Sequence, residues 1–306
     1  MKKTNLILTL SIGLLTLIAF YSFRNFTAEN SDKKYEEAFK ENTKVFAVLI
    51  PEDITFAGES IPQNRFYVKE ALEREITVNT YFHSSSIFLI KKANRWFPVI
   101  EPILKKYNIP DDFKYLAVAE SGLANVVSPA GATGFWQLMK HTAREYGLEV
   151  NADIDQRYDV ELATEAACKY LNKAYKKFGS WTLVAASYNA GMNKITEELN
   201  RQQESNYFDM VFGEETGRYV FRIIALKALL ENPNNYGFYL RSEDLYSPFE
   251  LKSITVDTAI RNIPAFAKKY HLNYKEFKVY NPWIRQAYLA NKSRRTYRIH
   301  LPAEKK

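Results

Sequence analysis

The 306-residue chain has a single cysteine, Cys168. One thiol cannot close an internal disulfide, and a metal cluster held by thiolates is excluded. Cys168 also lies far from the N-terminus, so a lipid-modified N-terminal cysteine is not expected. Its neighbours Ala166, Ala167 and Leu171 read as an apolar helix face, which makes it a small buried hydrophobe rather than a nucleophile. Runs of like charge are missing too. The net charge is +7, but Lys and Arg are scattered along the chain and read mostly as solvated faces. A basic balance favours an anionic partner, and without a concentrated basic patch nucleic acid is not the expected one. There is no long internal repeat and no low-complexity tract. With 46% hydrophobic residues, the length suits one main domain and a smaller one.

At the N-terminus Lys2 and Lys3 precede an apolar run from Leu6 to Phe20. Positive charge followed by a hydrophobic core is the pattern of an export signal or signal anchor. The sequence that follows, Phe20-Tyr21-Ser22-Phe23-Arg24, offers no small-x-small cleavage site, which favours an uncleaved membrane anchor at residues 1–23. The rest of the chain is then expected outside the cytoplasm, in the cell envelope. Residues 24–85 read as a linker and N-terminal extension. Within them Val68, Leu72, Ile76 and Tyr81 approach helical spacing, and helix-like sequence continues to residue 106, with Pro98 and Pro102 marking bends or a helix start.

The densest patterning runs from 86 to 244 and predicts a helical domain. Pro110-Asp111-Asp112 reads as an acidic helix start, and Gly122 as the stop of that helix. A helix over 161–178 should stop at Gly179. Ser180 should cap the next one, and Glu215 to Leu230 should form another. Residues 245–306 change character, with alternating strands near 251–256 and 297–301 around two short helices, a βααβ module. The overall expectation is a mainly α protein.

Glu120 is out of place. Phe113, Leu116, Ala117 and Glu120 follow at i, i+3, i+4 and i+7, so an acid sits on an apolar helix face. A carboxylate there is costly unless paired or protonated. Burial and the negative end of the helix both raise its pKa, towards what a general acid needs near neutral pH. Position alone also allows a buried salt bridge or a helix end that reaches water.

The residues around it carry a resemblance. Glu120-Ser121-Gly122, then Gly134-Phe135-Trp136-Gln137-Leu138-Met139, then Ala186-Ser187-Tyr188-Asn189-Ala190-Gly191, then Glu215-Thr216-Gly217-Arg218-Tyr219-Val220 occur in that order over about 100 residues. Their order and spacing resemble the soluble-lytic-transglycosylase (SLT) domains, whose fold is related to goose-type lysozyme. Phe56-Ala57-Gly58-Glu59 and the 109–117 segment resemble the membrane-bound type D subfamily. Residues 245–306 resemble a degenerate LysM-like module, through Asp257-Thr258, Ala265 to Tyr270, Phe277 and Asn281-Pro282, without the glycine that usually precedes the Asp-Thr pair.

The resemblance implies a lysozyme-like helical domain that cuts peptidoglycan between N-acetylmuramic acid and N-acetylglucosamine, leaving 1,6-anhydro ends. Glu120 takes the place of the family's acid/base. Gln137, Tyr188 and Asn189 fall in its substrate groove. Ser121 is expected either to orient Glu120 or simply to finish the helix, and Trp136 either to stack on a sugar or to fill core. Tyr219 is expected among the substrate-binding residues. No metal or cofactor is implied. Ordinary glycosidases use two carboxylates, and no second acid in the motif region is placed as clearly as Glu120. Asp153, Asp155 and Asp159 read as a solvated loop with helix-capping roles, since a calcium loop would need a glycine and a glutamate at offsets where they are absent. A water-using muramidase and a non-catalytic wall-binding scaffold are the alternatives.

Overall fold

The computed structural model describes residues 33–34, 36–37, 40–41, 45–292 and 294–303. The proposed anchor segment lies outside them. Among the described residues no helix is long and apolar enough to cross a membrane. Val48–Lys306 form one structural unit, mainly helical, as the patterning predicted.

Two two-residue strands, β1 (Thr55–Phe56) and β2 (Glu59–Ser60), make a hairpin through Ala57 and Gly58. Helix α1 (Phe66–Tyr81) buries Val68, Leu72 and Ile76, the predicted stripe, and also Glu75. Helix α2 runs from His83 to Lys106 straight through Pro98 and Pro102. Neither proline starts a helix; both lie inside α2, on its exposed face. The carbonyls they leave without an i−4 partner can turn to water, while Ile100 and Leu104 hold the opposite face in the core.

Helix α3 (Phe113–Ser121) is central: every residue from Phe113 to Val118 is buried. Asp112 does not cap it by its side chain, contrary to the sequence reading. Its carboxylate instead accepts from Lys227 Nζ and from the Ala57 amide, each at 2.7 Å, tying the β1–β2 hairpin to the helical core. The short α4 (Lys140–Glu145) precedes α5 (Val160–Phe178), which Asp159 caps through Leu162 N and Gly179 ends in the left-handed region. Helix α6 (Trp181–Ala190) starts at Ser180, as predicted, but Glu59 supplies much of the cap. The Glu59 carboxylate accepts from the amides of Trp181 and Thr182 and from the Ser180 hydroxyl. Helices α7 (Met192–Gln202) and α8 (Glu214–Glu231) complete this part, with α8 packed on both α1 and α3. Cys168 is fully buried, and burial pushes its thiol pKa up to about 12, so it stays protonated.

The C-terminal part is the predicted βααβ unit. Strands β3 (Leu251–Val256) and β4 (Tyr297–Pro302) pair antiparallel, Leu251 opposite Pro302 and Val256 opposite Tyr297. Helices α9 (Ile263–Lys269) and α10 (Tyr274–Tyr280) are capped by Asn262 and Asn273. Ile263, Phe277, Trp283, Ile299 and Leu301 form a second hydrophobic core, to which Ile154 and Tyr158 from the preceding region contribute. Backbone bonds from Asp155 N to the Trp283 carbonyl and from Arg285 N to the Asp153 carbonyl join the two parts.

Candidate functional site

Gly122 closes α3 at φ 59°, so Glu120 occupies the last turn, only partly buried by its neighbours yet largely desolvated by the surrounding protein. The Tyr219 phenol donates a short hydrogen bond to Glu120 Oε1. Burial raises the Glu120 carboxyl, the Tyr219 bond lowers it, the Glu215 charge raises it and Arg222 lowers it; the outcome is about 7. Desolvation wins because one hydrogen bond and one partly exposed guanidinium do not replace the lost water. Near neutral pH this acid can both give and take a proton.

The turn facing it is built around Gly134. At φ 82° the left-handed backbone favours glycine, and a Cβ there would lie 2.0 Å from the Arg157 carbonyl oxygen. Arg157 is itself buried. It is paired with Asp155, and its Nη1 donates to the carbonyls of Gly131 (2.9 Å) and Leu138 (3.1 Å), which clamps both ends of the turn. Gln137 has φ 44°, and its amide nitrogen donates back to the carbonyls of Gly134 (2.8 Å) and Val126 (3.1 Å). Its side-chain oxygen, not its nitrogen, is thus the group it can offer to a ligand.

The surroundings of Trp136, Ser121 and Tyr219 bear on the readings left open for them. Trp136 is fully buried, its indole N–H donating to Thr164 Oγ1 at 2.8 Å, so it fills core and cannot stack on a sugar. The aromatic ring and its one donor are both satisfied inside, which is the cheaper place for it. Ser121 does not touch Glu120; its hydroxyl bonds the Phe135 carbonyl at 2.9 Å and fastens the helix end to the turn. Tyr219 is 2% exposed and its phenol is taken by Glu120, so it meets the acid rather than open groove.

Tyr188 links the turn to the acid. Its phenol donates to the Trp136 carbonyl at 2.7 Å, its ring packs edge-on against Tyr170, and burial followed by the Glu120 charge pushes its pKa well above the usual value. Asn189 is fixed by α8: its oxygen accepts from Thr216 Oγ1 at 2.8 Å and its nitrogen donates to Glu215 at 3.3 Å. A groove of about 670 Å³ opens beside them, lined by Gln137, Met139, His141, Tyr146, Tyr188 and Asn189 among others. A second cavity of about 400 Å³ lies between the two cores, walled by Trp96, Phe135, Phe249 and Tyr280; it is apolar and holds none of the predicted site residues. Among the described residues no group of three or more His, Cys, Asp or Glu is placed to hold a metal.

A family model described as the transglycosylase SLT domain matches residues 98–211, the segment that holds Glu120, the Gly134 turn and Tyr188. Residues 98–211 are an SLT domain. A second, described as the soluble lytic transglycosylase C-terminal LysM-like domain, matches residues 252–305. The chain is similar to membrane-bound lytic murein transglycosylase D of Escherichia coli (strain K12), 28% identical over 209 residues, 63% of this chain and 45% of that protein. It thus spans less than half the length of that relative. Among solved structures it resembles the 70 kDa soluble lytic transglycosylase of Escherichia coli, with 23% identity and a TM-score of 0.40 over 45% of this chain and 24% of that one. It also resembles an inactive mutant of the lytic transglycosylase Slt from Pseudomonas aeruginosa, with 18% identity and a TM-score of 0.36 over 58% and 33%.

Several residues around Glu120 and the Gly134 turn escaped the sequence reading. Asp155 and Asp159 are buried, not solvated; Asp159 does cap α5, as expected of this cluster, but Asp155 holding Arg157 was not foreseen. Asp155 and Arg157 stand two apart, a short-range pairing signal that was available. Glu75, Arg218 and Arg222 meet only because α1 packs on α8, 143 positions apart for the closest pair, and no local pattern announces that.

Proposed function

We propose that this protein is a peptidoglycan lytic transglycosylase with Glu120 as its acid/base. The observation that carries this reading is one desolvated carboxyl with a pKa of about 7, held by Tyr219 and felt by Tyr188, which lines the groove although Glu120 itself does not. In the first step protonated Glu120 gives its proton to the glycosidic oxygen between N-acetylmuramic acid and N-acetylglucosamine, and the bond from the muramyl anomeric carbon to that oxygen breaks. The muramyl C6 oxygen then bonds to the anomeric carbon and its proton returns to Glu120. The ring closes as a 1,6-anhydro sugar, the acid is regenerated, and no water is consumed. Gln137 and Asn189 line the groove, and in this reading they receive the sugar's N-acetyl and hydroxyl groups. The LysM-like module is read as a second contact to glycan. The Escherichia coli relative is a membrane-bound transglycosylase by name, which supports attachment to a membrane, here through residues 1–23, with the SLT domain in the periplasm.

One observation favours a second reading. The Glu215 charge reaches Glu120, and a second carboxylate can activate water, as an inverting hydrolase requires. Mass spectrometry of muropeptides released from purified sacculi separates the two. The full chain should yield 1,6-anhydromuramyl ends and Glu120→Gln none. Reducing muramyl ends that vanish in Glu215→Gln would establish hydrolysis instead. Binding without release would leave only a wall-binding scaffold.

A further inference from the structure

Helix α8 presents Glu215, Arg218, Tyr219 and Arg222 at i, i+3, i+4 and i+7, one face of the helix. Tyr219 on this face holds Glu120, and the arginines on either side of it lead to Glu75 on α1. The Glu75 carboxylate is 1% exposed. It accepts from Arg218 Nε at 2.6 Å and stands 3.7 Å from Arg222 Nε. A carboxylate so deep is costly unless paired, and here one acid from α1 holds two arginines that bracket the tyrosine touching Glu120.

We propose that Glu75 is a positioning residue for the acid: by holding Arg218 and Arg222 from α1, it keeps the Arg222 guanidinium turned towards itself and from pairing with Glu120 directly. This rests on the reading of Glu120 as the acid/base. A general acid must be protonated to act. An uncompensated guanidinium beside it would hold it as a carboxylate. Arg222 is only 33% exposed at its side chain and its charge already reaches Glu120. Glu75 draws that charge the other way. Arg218 is shared with Glu214 at 3.2 Å, and Glu214 with Arg74 at 3.5 Å, so the brace extends to the surface. The charged and titratable groups that act on Glu120 are Tyr219, Glu215 and Arg222 from α8, with Tyr188 from α6. Those around Glu75 are Arg218 and Arg222, with the Tyr207 phenol sensing its charge. Both Glu75 and the arginines lie outside the 98–211 segment, so the acid of the SLT domain is tuned from elements beyond it.

The test is a carbon-13 NMR titration of the full chain in detergent, labelled at the glutamate carboxyl carbon, with the Glu120 signal identified by its loss in Glu120→Gln. Glu75→Gln should lower the Glu120 midpoint by about half to one pH unit, because Arg222 loses its counter-charge. Arg222→Gln should raise it by a similar amount, and the double variant should return close to wild type. A purely structural ion pair would leave the midpoint where it is, and unchanged or same-direction shifts would overturn the proposal. If Glu75→Gln does not fold, Glu75→Asp, which draws the charge back by one methylene, should lower the midpoint by less, and no shift there is equally damaging. In glycan-strand cleavage the alkaline limb of kcat should follow the same two directions. Absence of cleavage by wild type would sink the enzyme reading while the titration still decides the role of Glu75.

Discussion

Glu120→Gln should make the protein more stable at alkaline pH while abolishing its activity. The reasoning starts from the carboxyl, whose pKa rises from an ordinary 4.5 to about 7 on folding. A group raised in this way binds its proton more tightly when folded. Its contribution is therefore fully present below pH 4.5 and is lost as pH climbs to about 7, beyond which the loss is constant. At about 1.36 kcal/mol per pKa unit the ionised acid costs the fold up to about 3 kcal/mol above neutrality. Glutamine avoids that cost, since it is neutral at every pH and its oxygen can still accept from the Tyr219 phenol. The assay is thermal unfolding of wild type and variant from pH 4.5 to 8.5. The two should melt together at the acid end and separate by roughly 5–10 °C at pH 8, given about 2–4 °C per kcal/mol for a protein of this size. All other titrating groups are common to both and cancel in the difference. A gap that is the same at pH 5 and pH 8, or a variant less stable at pH 8, would show that Glu120 is not held near neutrality by desolvation.

Tyr219→Phe removes a hydrogen bond that favours the ionised acid, so the Glu120 pKa and the alkaline limb of kcat should move up by about one unit, read from the pH profile of strand cleavage. Gly134→Ala should abolish activity and lower stability by more than about 2 kcal/mol, because a Cβ at that φ meets the Arg157 carbonyl; an active, normally melting variant would contradict the clamp described for the turn. Trp136→Phe should lower stability by about 1–3 kcal/mol through the cavity and the lost indole bond to Thr164, whose hydroxyl keeps only the Val160 carbonyl, with KM for glycan strands unchanged, whereas a sugar-stacking tryptophan would raise KM.

Much of the local architecture was readable because it depends on neighbours in the chain. The stops at Gly122 and Gly179, the Ser180 cap, the stripe of α1 and the βααβ order all follow from residues within a few positions of one another. The oddity of Glu120 was visible for the same reason: an acid on an apolar helix face declares itself through spacing. Readings that needed a partner from elsewhere fared worse. Pro98 and Pro102 suggested bends or a helix start, but whether a helix carries a proline in its interior depends on which face the core takes. Trp136 and Ser121 sit beside the acid in sequence order, yet the side of the turn each faces is set by the Arg157 clamp, by Thr164 and by the Phe135 carbonyl.

By itself, then, the sequence determined the helices, the βααβ unit, the motifs and the odd placement of Glu120 on an apolar helix face, since covalent spacing and backbone preference act over a few residues. Only the tertiary structure decided what that acid experiences. The Tyr219 bond and the pull of Glu215 against Arg222 come from a segment about 100 residues away, and the Glu75 brace joins residues 143 positions apart. Charge and solvent act through space, so the pKa of Glu120 is a property of the packed chain and not of the helix that carries it.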